Sequence, residues 1–164
     1  MELPFKITTL LFIRDGEGRF LMLKRRKAPN LGKWSPPGGK LEMAAGESPF
    51  ECAIREAEEE TGMRLGPKDL HLWGMVSEKG YEGTGHWLMF LFRVHPRVEE
   101  LPAALDEGYF AFYSREAIDG LEVPETDRSL VWPFYDRHKE GFVAYRADCG
   151  SPGKLEIEVD QILP

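Results

Sequence analysis

Cysteine is scarce in this chain: Cys52 and Cys149 are the two it has among 164 residues. Two thiols in such different surroundings supply neither a disulfide framework nor the ligand set of a zinc site. Long hydrophobic runs are missing too. No apolar stretch approaches the roughly twenty residues that a membrane helix needs, and the apolar opening is interrupted by Lys6 and Arg14. Neither a membrane span nor a secretory leader is therefore expected. Positive charge is in deficit, with 21 Lys and Arg against 28 Asp and Glu and a net charge of -7. A sequence-independent grip on nucleic acid needs a basic surface, so that class of partner is excluded. The expectation is a cytoplasmic, reduced protein with no nucleic-acid and no membrane partner. Its length suits a single domain, 1–164, with a core of its own, and no repeat, low-complexity tract or linker divides it.

What the chain does have is an unusual acidic segment, Gly38 to Met63, reading GGKLEMAAGESPFECAIREAEEETGM. Ser48 suits an N-cap, Pro49 the first helical position and Gly62 the stop. Phe50, Ala53, Ile54, Ala57 and Thr61 recur at helical spacing and make a narrow stripe of mostly small residues, so the helix can lie close to a sheet. Glu56, Glu59 and Glu60 fall at i, i+3 and i+4 and share the flank beside that stripe. Like charges so placed weaken a helix by about 0.2–0.5 kcal/mol per pair. A hard divalent cation removes the repulsion, and carboxylate oxygens are the donors that Mg2+ or Mn2+ prefers. Arg55 lies one turn before Glu59, where it can hold and orient an acid. A solvated acidic face explains neither the glycine pair nor the arginine nor the stop.

The segment resembles the signature of the Nudix hydrolases, G-x5-E-x7-R-E-U-x-E-E-x-G-U, with U aliphatic. From Glu47 onward each defined position matches: Arg55-Glu56, Ala57, Glu59-Glu60, Gly62 and Met63. One departure stands out, since seven residues, Lys40 to Gly46, separate Gly39 from Glu47 where the family has five. The resemblance implies hydrolysis of a nucleoside diphosphate linked to a further group, with Mg2+ as cofactor and Mn2+ as a substitute. It places metal on Glu56, Glu59, Glu60 and the Gly38 carbonyl, and has Arg55 orient a catalytic or ligating Glu. Glu59 and then Glu56 are the candidate general bases. Glu47 matches the first motif acid, either in catalysis or as a first-turn acid on the helix dipole. Glu107 is a candidate extra ligand. Cys52 reads as a small packing residue, since this chemistry needs no covalent intermediate.

The substrate is a small nucleotide, with Arg25 and Lys40 as candidate phosphate contacts. A base could stack among Trp34, Phe110 and other rings, including Tyr81 and Trp87, with Asn30 or Asp106 reading its edge. The overall order resembles the MutT-like branch, which implies cleavage of a nucleoside triphosphate, including oxidised purines, to monophosphate and pyrophosphate. Dinucleoside polyphosphates remain an alternative through Tyr81. So do ADP-ribose and nucleotide sugars, although the stretch from Glu78 to Gly83 lacks the proline that marks those enzymes. A ligand-sensing module is a further class, disfavoured because all the motif acids are present. Oligomeric state is open, with a homodimer through the C-terminal hairpin one option.

Strands are expected over 5–13 and 19–23 as a hairpin about Asp15–Gly18, then over 70–78, 86–94 and 109–113. Helices are expected after Ser114 and over 124–138, where Pro133 either kinks the helix or begins a new turn. A last hairpin, 142–160 with its turn at Gly150 to Gly153, reads as an appended element. This mixed order points to an α/β fold, and the resemblance makes it a Nudix-type α/β/α sandwich with a mixed central sheet.

Overall fold

A computed structural model describes residue 2 and residues 4–151 and 154–164. The strands are β1 (Phe5–Phe12), β2 (Phe20–Arg25), β3 (Trp34–Ser35), β4 (Gly38–Lys40), β5 (Leu70–Tyr81), β6 (Gly85–Val94), β7 (Gly108–Tyr113), β8 (Phe142–Ser151) and β9 (Lys154–Leu163). The helices are α1 (Pro49–Thr61), α2 (Arg115–Ile118) and α3 (Trp132–His138). Six strands hydrogen-bond in the order β4-β1-β6-β5-β8-β9, and three more in the order β3-β2-β7. The larger sheet is mixed: β1 runs parallel to β6 and β5 parallel to β8, while its other pairs are antiparallel.

Side-chain parity sorts the strand residues into two cores. In β2, Leu21 and Leu23 enter one core while Phe20 and Met22 enter the other. In β6, Phe92 and Val94 join the first, Met89 and Leu91 the second. The first core takes in Ala53 and Ala57 of α1, and the second takes in Trp132, Phe134 and Tyr135 of α3. Helices on opposite sides of the sheet complete an α/β/α sandwich.

Helix α1 has its start written into four residues. The Ser48 hydroxyl accepts from the Glu51 N–H at 3.2 Å, and the Glu51 carboxylate accepts from the Ser48 N–H at 3.1 Å. Pro49 occupies the first turn, and Gly62 stops the helix in the left-handed conformation at φ 77°. Its inward face is Cys52, Ala53, Ala57 and Glu60, three small residues and a carboxylate.

Two expectations change. The 5–13 and 19–23 segments meet only around the turn, where the Leu21 N–H donates to Ile13 and the Asp15 carboxylate accepts from the Glu17 and Arg19 N–H groups. Beyond it β1 enters the six-stranded sheet and β2 the other. The C-terminal hairpin is not merely appended: β8 pairs with β5, and its Val143, Tyr145 and Ala147 are core residues. Part of the turn expected at Gly150 to Gly153, residues 152 and 153, lies outside the described residues. The 124–138 segment is helical as expected, and Pro133 begins a new turn: a wide π-type turn, Asp127–Val131, precedes α3, which carries Pro133 in its first turn. There the missing N–H costs nothing.

Because the cap satisfies two end groups of α1, Ser48→Ala should lower stability by about 1 kcal/mol. Urea unfolding monitored by circular dichroism measures this, and an unchanged midpoint would show that the cap contributes nothing.

Candidate active site

Glycine lets α1 approach the end of the larger sheet. A Cβ on Gly38 would lie 2.0 Å from the Thr9 carbonyl oxygen, and one on Gly39 would lie 2.2 Å from Oε1 of Glu56. Gly38 has no room for a side chain against the β1 main chain, and a side chain on Gly39 would displace the Glu56 carboxylate. The Glu56 carboxylate therefore lies directly on the strand, and the Gly38 N–H donates to Oε2 of Glu60 at 3.2 Å. Glu60 is 7% exposed. Burial, then the charges of Glu56 and Glu107, push its carboxyl up to about 8. Glu56 is raised too, chiefly by burial and against the pull of Arg55.

Arg55 organises the outer half of the cluster. Its Nε and Nη2 donate to the two oxygens of Glu47 at 2.7 and 2.8 Å, and Nη1 reaches Glu56 at 3.0 Å and Glu59 at 3.2 Å. Nη2 also donates to the Lys40 carbonyl at 3.1 Å, which ties helix to strand. The bidentate bond holds the Glu47 carboxyl down near 2. A carboxylate so committed positions Arg55 and is a poor proton acceptor. The longer loop before it forms a 3-10 turn, Met43–Ala45, whose residues are exposed. Glu47 bonds back to the Glu42 N–H at its base, at 3.0 Å.

Among the described residues, no three His, Cys, Asp or Glu side chains stand converged as a metal-ligand set. Arg55 holds Glu56 and Glu59 from the outer side of the cluster, while the Gly38 N–H holds Glu60 from the strand. The donor chemistry nevertheless suits a hard divalent cation. Glu60 is a buried carboxyl with a single hydrogen-bond donor, repelled by Glu56, Glu107 and Glu59, and a proton is the counter-charge it takes by itself. Glu56, Glu59, Glu60 and the Gly38 carbonyl are the candidate ligands. Cys52 is buried, with Sγ 3.6 Å from Oγ1 of Thr9, and burial pushes its thiol up to about 11. It packs as an inert thiol.

A model of the NUDIX domain matches residues 4–138. The chain belongs to the Nudix family. It is 30% identical over 129 residues to an ADP-ribose pyrophosphatase of Methanocaldococcus jannaschii, covering 79% of this chain and 72% of that one. The crystal structure of a MutT protein from Methanosarcina mazei aligns with a TM-score of 0.70 and 30% identity over 85% of this chain and 99% of that chain. A mutator MutT protein from Bacillus halodurans gives a TM-score of 0.73 over 94% and 97% of the two chains. At 24% identity, that likeness is one of fold. Strands β8 and β9 follow the matched Nudix segment.

From the Nudix glycines a cavity of about 550 Å³ runs inward. Gly38, Gly39, Lys40, Glu56 and Glu107 line one end, with Arg25 and Lys27 beside them. Asn30, Tyr81, Trp87, Glu78 and Asp127 line the rest. Arg25, Asn30 and Lys40 therefore face the cavity. Arg25 is held by its Nε bond to the Pro29 carbonyl at 2.7 Å, and Asn30 by the Tyr81 hydroxyl at 3.0 Å.

Three substrate candidates do not face it. Trp34 is buried, packed edge-on against Tyr109 and Tyr113. Phe110 lies in the core on the α1 side, because its strand parity points it inward. Asp106 is exposed on the turn before β7 and does not line the cavity. Glu59 is also turned away, with 59% of its side chain exposed. Glu78 and Asp127 were not foreseen. Glu78 carried a signal, since it shares the buried parity of Val76 in an apolar strand. Asp127 carried none, because the π-type turn that aims it follows no sequence rule.

Glu60 supplies a pH test of this electrostatic picture. Its folded carboxyl titrates near 8 rather than 4.5, so the folded state holds the extra proton between those values. Its cost to stability is absent below about pH 4.5, grows as pH rises and levels off above about pH 8. In chelator, Glu60→Gln should melt higher than the parent protein, by a margin that widens from pH 5 to pH 8. Equal melting temperatures across that range would refute an uncompensated buried charge.

Proposed function

We propose that this Nudix hydrolase cleaves a nucleoside triphosphate to a nucleoside monophosphate and pyrophosphate, breaking the bond between the α and β phosphates. The observation that carries this reading is the single cavity joining the acidic helix to an aromatic, polar inner end. Its volume suits one nucleotide. Phosphates would lie at the Glu56 end, where Arg25, Lys27 and Lys40 supply positive charge along the rim. The base would lie inward, beside Tyr81 and Trp87.

Glu56, Glu59, Glu60 and the Gly38 carbonyl would hold Mg2+, with Mn2+ as a substitute. When bound, such a cation neutralises the charge of the pyrophosphate and acidifies the attacking water. Among the carboxylates, Glu56 is better placed than Glu59 to take the water's proton. It lines the cavity, and its raised affinity for a proton suits a base working near neutral pH. Arg55, braced by Glu47, keeps Glu56 from swinging out of reach.

A second reading has its own support. The Methanocaldococcus relative is named an ADP-ribose pyrophosphatase, and ADP-ribose presents the same diphosphate with a sugar in place of the outermost phosphate. One screen separates the two. Nucleoside triphosphates, ADP-ribose, nucleotide sugars and dinucleoside polyphosphates are incubated with Mg2+ in heavy-oxygen water and the products identified. Triphosphates should yield pyrophosphate, with the label on one of the two products. Release of orthophosphate, or turnover confined to ADP-ribose, would overturn the triphosphate reading. Glu56→Gln should lower kcat by about 10²–10⁴-fold, the range for loss of a general base, while leaving the fold intact.

A further inference from the structure

The larger sheet ends in two unlike edges. At one end is β4, three residues long, and at the other is β9, ten residues long. Strand β9 pairs with β8 on its inner side, and among the described residues no strand pairs with its outer side. A free edge of that length is a template for a further strand. One face of β9 is apolar as well. Ile157, Val159 and Ile162 stand opposite Ala147, Tyr145 and Val143, all core residues of β8. Helix α3 covers β8, where Phe134 stacks on Tyr145 at 4.0 Å. The matching row on β9 stays open, with Ile157, Val159 and Ile162 at 36, 46 and 54% exposed.

The other face of β9 divides into unlike halves. Glu156 and Glu158 occupy its first half, Gln161 and Leu163 its second, and the step between them is a bulge with Asp160 as the extra residue. Arg146 of β8 holds Glu158 at 2.6 Å and Asp160 at 3.2 Å.

We propose that β9 pairs antiparallel with β9 of a second copy of this chain, about a two-fold axis at the bulge, joining two six-stranded sheets into one. In that register Glu156 lies opposite Leu163 of the second copy, Glu158 opposite Gln161 and Ile157 opposite Ile162. Two-fold symmetry makes each of these pairs twice. Asp160 lies opposite Val159 of the second copy, so no acid directly faces an acid. The two Asp160 carboxylates approach the axis, each held by its own Arg146. An axis at Glu158 would instead set that residue against itself and Glu156 against Asp160, and like charges directly opposite are destabilising. The acids therefore select the register and do not block the edge. A foreign strand would have to present an uncharged half and then a half that tolerates Gln161 and Leu163, in that order. The chain's own β9, reversed, does so. Assembly through β9 is independent of which nucleotide the cavity takes.

A single strand edge with one apolar row is a small interface, of the class below about 1,200 Å² that associates weakly. Dimerisation is therefore expected at micromolar concentration. Sedimentation equilibrium of the whole protein, from micromolar to several hundred micromolar, should show the mass rising from one chain to two. Ile162→Lys, which sets a charge against Ile157 of the second copy, should weaken the dimer about tenfold, because the disrupted pair occurs twice. Adding Ile157→Glu to that variant should restore association, since the two introduced charges then face each other across the strands. Both side chains are well exposed in the single chain, so the variants should keep the circular dichroism of the parent protein. A parent protein that sediments as one chain throughout would overturn the proposal, with no variant needed. So would a dimer that Ile162→Lys leaves unchanged. Failure of Ile157→Glu to restore association in the Ile162→Lys protein would overturn it too, because the rescue depends on those two positions meeting.

Discussion

The approach of α1 to β4 governs the site. Ala53 and Ala57 pack small side chains on the sheet side, Gly39 leaves room for the Glu56 carboxylate, and Gly38 lies against the Thr9 main chain of β1. That proximity places the carboxylates of Glu56 and Glu60 on main-chain atoms, out of water and beside each other. Repulsion between them is then unavoidable. Arg55 relieves part of it from outside, braced by Glu47 and tied to the Lys40 carbonyl. Among the described residues, one N–H is the only donor to Glu60, and a proton supplies the rest of its relief. The packing that binds helix to sheet thus creates an unbalanced negative charge that a divalent cation can balance.

The cavity has acids at both ends, and their neighbours separate their chemistry. At the outer end the carboxylates are adjacent to Arg55 and to a rim of Arg25, Lys27 and Lys40, which together suit phosphate and metal. At the inner end Glu78 and Asp127 have Lys33 as a weak counter-charge and otherwise tyrosine and cysteine around them. Low polarity there favours the neutral acid, which can donate a hydrogen bond as well as accept one.

Much of the outer end could be read along the chain. Ser48, Pro49 and Gly62 delimit α1 by local backbone chemistry, and the i, i+3, i+4 spacing of Glu56, Glu59 and Glu60 puts them on one flank whatever surrounds the helix. The spacing could not say that Glu60 is buried and Glu59 exposed, since adjacent residues on a flank differ only by which neighbour covers them. Trp34, Phe110 and Asp106 show the same limit for the substrate. A ring near a loop and an acid near a strand end are plausible contacts, but strand parity turned Phe110 into the core and the turn before β7 left Asp106 in solvent.

The sequence by itself determined the elements that depend on neighbours a few residues away: the caps of α1, the alternation of the strands, the order of acids around Arg55. It determined the family for the same reason, because the signature is a contiguous run. Tertiary structure alone decided which acids share a cavity. Glu78 stands on a strand and Asp127 on a wide helical turn far along the chain, and only the stacking of sheet and turn brings both to one wall. It also pushed both carboxyls above their ordinary range, because burial is a property of the assembled fold and of no residue in isolation.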